Sequence, residues 1–278
     1  MERYSVLMSV YAKEHVDYLK MSIDSILNQT IRPDQVVIVK DGPLTDALEH
    51  TIENYKKQYN DIFTIVKLEE NGGLAKALNT GLQYCRNELI ARMDTDDISL
   101  PERCEKQLLA FEKNNDLCMV GTQINEFVDD PKCVVSSRIV PTTFNEIKRF
   151  ARRRSPFNHP TVMFKKSKIL ELGGYNEYGR KEDLDLFIRM VNQNYNSINL
   201  SESLLLYRIS KDNLKRRKTW KNCSEYIAIM YKFYKKGYLG FNDLVYVIVG
   251  QILMYITPVF ITKLLNNIFL RKKPNDNI

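Results

Sequence analysis

Histidine and cysteine are scarce in this chain, and neither clusters. His15, His50 and His159 are the three histidines among 278 residues, and they lie far apart. The five cysteines, Cys85, Cys104, Cys118, Cys133 and Cys223, are odd in number and scattered. No two take metal-ligand spacing, so a zinc site or a Cys–His nucleophile is not suggested and reduced thiols are the better reading. The chain also lacks Gly/Ser linkers, low-complexity tracts and repeats of solenoid period. With 44% apolar residues it suffices for one large α/β domain and an appendage. No charged-then-apolar leader precedes the strand-like run at residues 4–10, so a protein retained in the cytoplasm is expected.

Charge is present in excess of one sign. The net charge of +7 is concentrated at residues 152–154, 215–218, 235–236 and 271–273. Such patches suit nucleic acid, anionic lipid or a phosphorylated substrate, and composition alone does not choose among them.

Patterning in the first hundred residues alternates between period two and period 3.6. Strands are predicted at 4–10, 35–40, 63–68 and 88–93, with helices at about 19–27, 46–59 and 74–85 between them. This spacing predicts a mostly parallel sheet covered on both faces, with ligands beyond the carboxyl ends of its strands. Asp41, residues 71–73 and residues 94–97 all follow strands and should gather on one edge. The second half is less regular. It reads as a helix at 101–114, strands at 117–125, 134–139 and 161–164, a helix at 182–193 and a short strand at 204–209. Residues 244–262 carry no charge over 19 positions. That run can lie on a membrane surface, span it, or bury itself in an internal or oligomer contact.

Arg92-Met93-Asp94-Thr95-Asp96-Asp97 is the densest acidic stretch to leave an apolar strand. Clustered carboxylates repel and lose hydration, so a cation is expected among them. Oxygen donors alone favour a hard ion, Mg²⁺ or Mn²⁺, which commonly bridges carboxylate to phosphate. In extended geometry Arg92, Asp94 and Asp96 share a face. Asn71-Gly72-Gly73 opens a helix, where backbone can approach an anion, and Lys76 in its first turn is easier to understand if it faces phosphate. Asp41 in Asp41-Gly42-Pro43 reads either as turn chemistry or as a carboxylate accepting from a base N–H. Asp183 and Asp185 would point to opposite sides of a helix and should not chelate one ion together. A single carboxylate there can act as a general base or stabilise the helix dipole.

In this order the motifs resemble those of inverting family 2 glycosyltransferases with the GT-A fold, of the bacterial exopolysaccharide, capsule and O-antigen type. The resemblance spans about residues 4–210. It rests on Ser5-Val-Leu-Met-Ser-Val-Tyr11, Ser25-Ile-Leu-Asn-Gln-Thr30, Val36-Val-Ile-Val-Lys-Asp-Gly-Pro43, Asn71-Gly-Gly-Leu-Ala-Lys-Ala-Leu-Asn79 and Ala91-Arg-Met-Asp-Thr-Asp-Asp97. His159-Pro160-Thr161, Gly173-Gly174-Tyr175 and Glu182-Asp183 complete the set.

The resemblance implies a catalytic domain at 1–215, nucleotide-binding to about 100 and acceptor-binding beyond, followed by a basic and apolar helical tail at 216–278. It implies that Ser9, Tyr11, Arg92 and Thr95 line the nucleotide pocket, that Asp41 binds the base, with uracil expected, and that Asn71, Gly72 and Lys76 lie near ribose and diphosphate. Asp94 and Asp96 would hold Mn²⁺ or Mg²⁺, with Asp96 the direct contact. Asp183 would be the base, with Tyr175, Glu182 and His159 on the acceptor side. Implied partners are a nucleotide-sugar donor, a saccharide or lipid-diphosphate-linked acceptor and the inner face of the cell membrane, with no nucleic acid. Many relatives carry histidine where Ser210 stands; either water completes the metal shell, or Lys211 or Arg208 compensates, or metal binding is weak. The Gln-x-x-Arg-Trp motif of processive relatives is absent, which predicts one sugar per binding event. Two competing readings are a sugar nucleotidylyltransferase, which would want a basic glycine loop where Tyr11-Ala12-Lys13-Glu14 stands, and a non-catalytic basic binding module.

Overall fold

The computed structural model describes residues 2–177, 179, 181–209 and 218–258. Its first third alternates as the patterning predicts: β1 (Tyr4–Val10), α1 (Val16–Leu27), β2 (Gln35–Lys40), α2 (Asp46–Gln58), β3 (Phe63–Lys67), α3 (Leu74–Tyr84) and β4 (Leu89–Met93). β1 pairs in parallel with β2 and β4, and β2 with β3. Side chains alternate across a strand, so the apolar run of β2 feeds two cores. Val36 and Ile38 join Leu19, Ile23 and Ile26 of α1, while Val37 and Val39 join Ala77, Leu78 and Leu82 of α3. A strand apolar on both faces needs cover on both, which places β2 inside the sheet. The carboxyl ends of β1–β4 therefore share one edge.

Beyond β4 come β5 (Ile98–Ser99), α4 (Arg103–Lys113), β6 (Met119–Phe127), β7 (Val134–Arg138), α5 (Phe144–Ala151), a 3-10 turn (His159–Thr161), β8 (Met163–Lys165), α6 (Lys166–Glu171), α7 (Glu182–Asn192) and β9 (Ser197–Arg208). Two helices follow, α8 (Trp220–Lys235) and α9 (Phe241–Ile256). Among the described residues the strands form one sheet in the order β3-β2-β1-β4-β8-β6-β9-β5, with β7 on β6. The mostly parallel pairing expected is seen among β1–β4 and for β6 with β9, while β8 runs antiparallel to both β4 and β6, β7 to β6 and β5 to β9. The last strand begins at Ser197, not at 204. Exposed Ser201 and Glu202 break its apolar alternation, yet pairing with β6 continues through two register shifts. The short elements β5, α5 and α6 had no predicted counterpart. The Glu146 carboxylate does accept from the Thr143 N–H at the start of α5, 3.3 Å away, a readable capping signal.

Within the uncharged run, α9 ends at Ile256, and residues 259–262 lie outside the described part. No helix of the described residues is long and apolar enough to cross a membrane. Ser210, Lys211 and the basic residues 215–217 and 271–273 also lie outside the described residues.

Candidate active site

β4 carries Arg92 and Asp94 to one face, and the buried Arg92 Nη2 donates to Asp94 Oδ1. The chain then turns at Thr95 and Asp96 and does not continue extended. This gathers three carboxylates where alternation predicted two: oxygens of Asp94, Asp96 and Asp97 lie within 4.8 Å of one another. Asp97 is fully buried. Its Oδ1 accepts from the Arg208 N–H at 2.8 Å, while Oδ2 has no partner among the described residues. Three hard oxygen donors, one of them buried and unsatisfied, fit a divalent ion such as Mn²⁺ or Mg²⁺. Burial, followed by the charges of Asp94 and Glu14, raises Asp96 to a pKa of about 7. Burial and the charges of Asp96 and Asp94 likewise push Asp97 well above the usual carboxylate range. A bound cation would reverse that logic.

The polar residues of α1 hold this loop. Ser22 Oγ donates to the Asp94 carbonyl at 2.7 Å, and Ser25 Oγ accepts from the Ser99 N–H at 3.0 Å. Buried Gln29 donates to Ser99 Oγ (3.0 Å) and the Leu100 carbonyl (2.9 Å), and accepts from the Cys104 N–H (3.0 Å). Arg208 closes the loop from β9. Its Nε donates to the Asp96 carbonyl at 2.9 Å, and its guanidinium carbon lies 3.8 Å from the Tyr18 ring centre and 4.4 Å from that of Phe127. Glu14, which no motif flagged, accepts from the Thr95 hydroxyl, which also lies 3.5 Å from the Ser9 carbonyl oxygen. The Tyr11 carbonyl accepts from the Glu14 N–H at 3.0 Å, so Ser9, Tyr11 and Thr95 do meet beside the acidic loop.

Along the same edge, Asp41 grips the glycine turn. One carboxylate oxygen accepts from the Gly72 N–H (2.7 Å) and the other from the Gly73 N–H (3.1 Å), while Asn71 Nδ2 donates to the Asp41 carbonyl at 3.1 Å. Neither sequence reading of Asp41 foresaw this brace on the 71–73 turn, and the lone pairs left over can still accept from a base. Gly42 has φ +83°, and a Cβ there would stand 2.6 Å from the Asn71 nitrogen, so only glycine lets these two loops meet. Lys76 is exposed and lies across Gly72, with Nζ 3.9 Å from Glu70.

The acceptor-side candidates come together around α7. Asp183, in its first turn, is only partly exposed; burial raises its pKa, opposed by the Leu184 N–H that donates to it. Neighbouring Glu182 is buried, keeps Oε2 without a partner among the described residues, and is raised to about 7 by burial and then by Asp183. Asp185 faces elsewhere, as the helical period predicts: it is fully buried, 2.7 Å from both Arg189 Nε and Asn176 Nδ2. Tyr175 and His159 lie beneath the surface, with the hydroxyl and Nε2 3.0 Å apart. Burial and then Arg92 push His159 well below its ordinary pKa, so the imidazole is neutral. Asn79, the last residue of the glycine-turn motif, holds Tyr175 on both sides, donating to its carbonyl (2.7 Å) and accepting from its N–H (2.8 Å). The His159-Pro160-Thr161 turn is pinned by Arg103, whose Nη1 donates to the Pro160 carbonyl (2.8 Å) and the Arg92 carbonyl (3.2 Å).

The two clusters share one side of the sheet. Burial raises the Tyr175 phenol, and the charges of Arg92, Asp183, Glu182 and Asp94 all act on it. Arg92 joins them: it pairs with Asp94 and bears on both Glu182 and Asp183, while its own Nε and Nη1 have no partner among the described residues.

A parallel N-terminal half, a mixed C-terminal half and an acidic turn at the end of β4 define a GT-A type α/β glycosyltransferase. The chain belongs to glycosyl transferase family 2, whose model matches residues 5–179. It is 35% identical over 92% of its length to the Escherichia coli UDP-Gal:alpha-D-GlcNAc-diphosphoundecaprenol beta-1,3-galactosyltransferase, covering 92% of that protein. It is also similar to the amylovoran biosynthesis glycosyltransferase AmsE of Erwinia amylovora (36% identical, 78% of this chain, 80% of that protein) and to the O-antigen biosynthesis glycosyltransferase WbnJ of Escherichia coli (37%, 81% and 87%). Among solved structures, the mannosyltransferase PcManGT of Pyrobaculum calidifontis in complex with GDP-Man and Mn²⁺ matches 96% of this chain and 75% of its own, with TM-score 0.67 at 16% identity. S. aureus TarS 1–349 in complex with UDP-GlcNAc matches 82% and 65%, with TM-score 0.61 at 18% identity.

Proposed function

We propose that this enzyme transfers one sugar, with inversion, from a UDP-sugar to a hydroxyl of a lipid-diphosphate-linked saccharide in bacterial surface polysaccharide synthesis. The observation that carries the reading is Arg92. It pairs with the acidic turn, and its charge reaches Glu182 and Asp183, which supports a site shared by the acidic cluster and the start of α7. The 35% identical relative named for a UDP-Gal donor and a diphosphoundecaprenol acceptor supports the donor and acceptor classes.

Asp94, Asp96 and Asp97 would hold Mn²⁺ or Mg²⁺. When bound, that ion supplies Lewis-acid neutralisation of the departing diphosphate. Asp41 and the Asn71–Gly73 turn bind base and ribose, while Lys76 and the N-terminus of α3 meet the diphosphate. Asp183 accepts the proton of the acceptor hydroxyl as its oxygen attacks the anomeric carbon, and its raised pKa makes it a better base than an ordinary aspartate. Glu182, next to Asp183 and raised to about 7, is partly protonated near neutrality and leaves Asp183 as the charged member of the pair. One displacement inverts the centre, so an α-linked donor yields a β-glycoside. The enzyme works at the inner face of the cell membrane, where such acceptors reside.

UDP-sugar hydrolysis with Mn²⁺, screened across donors starting with UDP-Gal, tests this reading. Asp96→Ala and Asp183→Asn should each abolish turnover, and hydrolysis indifferent to both would overturn it.

A further inference from the structure

We propose that the outer face of α9, together with the arginine run at residues 152–154, docks this enzyme on an anionic lipid bilayer. The proposal rests on the preceding reading only in the benefit it assigns to docking.

Phe241, Val245, Val249, Ile252 and Ile256 fall at steps of four and three along α9 and so form one line. They are 65%, 40%, 49%, 40% and 64% exposed. The opposite line, Leu244 and Val247, is buried in the main core with Met230 and Phe233 of α8. α9 is therefore apolar both where it meets protein and where it meets solvent, a pattern that an ordinary surface helix avoids. The helix carries one charge, Asp243, and that is neutralised: Arg153 Nε lies 2.6 Å from it. The same guanidinium lies 4.6 Å from the ring centre of Tyr246. The arginine run singled out by charge alone thus abuts the apolar face. Exposed Arg152 flanks it, and exposed Lys235 and Lys236 end the preceding helix. At the far end Trp220 and Tyr255 pack with ring centres 5.5 Å apart and both remain exposed. An apolar line, a cationic rim and aromatic ends form the pattern of an interfacial helix.

Charge complementarity selects the occupant. A second copy docked by a two-fold would bring the same basic rim against itself, whereas anionic headgroups attract it. Docking would also serve the chemistry, because the hairpin touches the acceptor side. Lys181 Nζ donates to Asn222 Oδ1 of α8 at 2.6 Å, and Lys232 lies 3.8 Å from Asp185 of α7. A bilayer under α9 would present a lipid-borne hydroxyl close to the first turn of α7.

Trp220 is the chain's one tryptophan, so the native protein carries its own probe. Full-length protein is mixed with phosphatidylethanolamine–phosphatidylglycerol vesicles, or with phosphatidylcholine vesicles, without sugar nucleotide or acceptor. With the anionic vesicles we expect flotation, a blue shift of Trp220 emission and its quenching by brominated lipid, all weakened by high salt. The double variant Val249→Asp/Ile252→Asp should lose flotation while retaining donor hydrolysis, and Arg152→Glu should weaken it. No spectral shift with wild type, or flotation of the double variant equal to wild type, would overturn the proposal. So would a wild-type dimer that never floats and that the double variant converts to monomer, since a second copy would then own the face. Loss of docking with Asp183-dependent hydrolysis intact would sink this inference and leave the proposed function standing.

Discussion

On the donor edge, Asp41 spends both carboxylate oxygens on the N–H groups of Gly72 and Gly73, whereas on the acceptor side Glu182 keeps Oε2 buried and without a partner among the described residues. The contrast is between these two carboxylates and not between whole halves: at the acidic turn Asp97 Oδ2 is likewise without a partner among the described residues, and burial raises Asp96 and Asp97 as well. Ser22, Ser25 and Gln29 hold the backbone of the acidic turn and its continuation into α4 through direct hydrogen bonds. Around α7 the polar groups are raised or lowered in pKa chiefly by burial, and Arg92 presents two nitrogens without partners among the described residues. A satisfied network gives fixed geometry; a buried group with unused hydrogen-bonding capacity is costly until something meets it. Under the proposed function, the braced Asp41 turn would suit a constant ligand part, the nucleotide diphosphate, and the buried carboxyls at the start of α7 would suit a proton transfer.

The largest effect that tests this contrast is at Asp183. Asp183→Asn should lower transfer by roughly 10²–10⁴-fold while donor affinity is kept, because general-base catalysis contributes on that order. Steady-state kinetics with a separate UDP-binding titration would check it; an equal loss in binding would mean that Asp183 belongs to the donor side.

Arg208 comes next. Its side chain donates to the Asp96 carbonyl and stacks between Tyr18 and Phe127, so Arg208→Ala, which keeps the backbone N–H on Asp97, should weaken Mn²⁺ affinity by roughly 10–100-fold, as loss of supporting groups around ligands does. Lysine at that position cannot reproduce the stacked guanidinium between Tyr18 and Phe127 and should restore only part. A calorimetric Mn²⁺ titration of both variants reads this directly.

Asp41→Asn removes one acceptor from the glycine turn. A buried N–H left unpaired costs about 1–3 kcal/mol, so the KM for the donor should rise with little change in kcat. A kcat loss as large as that of Asp183→Asn would erase the distinction between the two sides.

The smallest effect is on stability. Asp96 and Glu182 have folded pKa values of about 7, above the ordinary values of 3.8 and 4.5. The folded state therefore binds protons more tightly than the unfolded one in that window. The contribution of these two groups to the stability of the metal-free enzyme is fully present near pH 4 and is lost as pH rises to about 7, after which they add no further slope. Melting temperatures measured across that range should fall, Asp96→Asn should flatten the decline, and Mn²⁺ should stabilise more at pH 8 than at pH 5. A melting temperature that rises from pH 4 to 7 would contradict the assigned burial.

The donor half was largely legible because its strands are uniformly apolar and its punctuation, Asp41-Gly42-Pro43 and Asn71-Gly72-Gly73, falls directly after them. The acceptor half was less so. β5 has two residues, β8 has three, and β9 passes through Ser201 and Glu202; their pairing is set by neighbours far along the chain. Glu14 sits in a loop with no pattern of its own, and only the approach of Thr95 gives it a role.

Local order in the chain determined the strand–turn–helix repeats, the acidic run after β4 and the helix-start carboxylate at Asp183, because periodicity and turn chemistry act over a few residues. Tertiary structure alone decided that Asp97 completes the carboxylate cluster, that Arg208 reaches back from β9 to hold it, and that Arg92 bears on both clusters. Those relations join residues up to 112 positions apart, and they exist only once the packed sheet has brought its strand ends together.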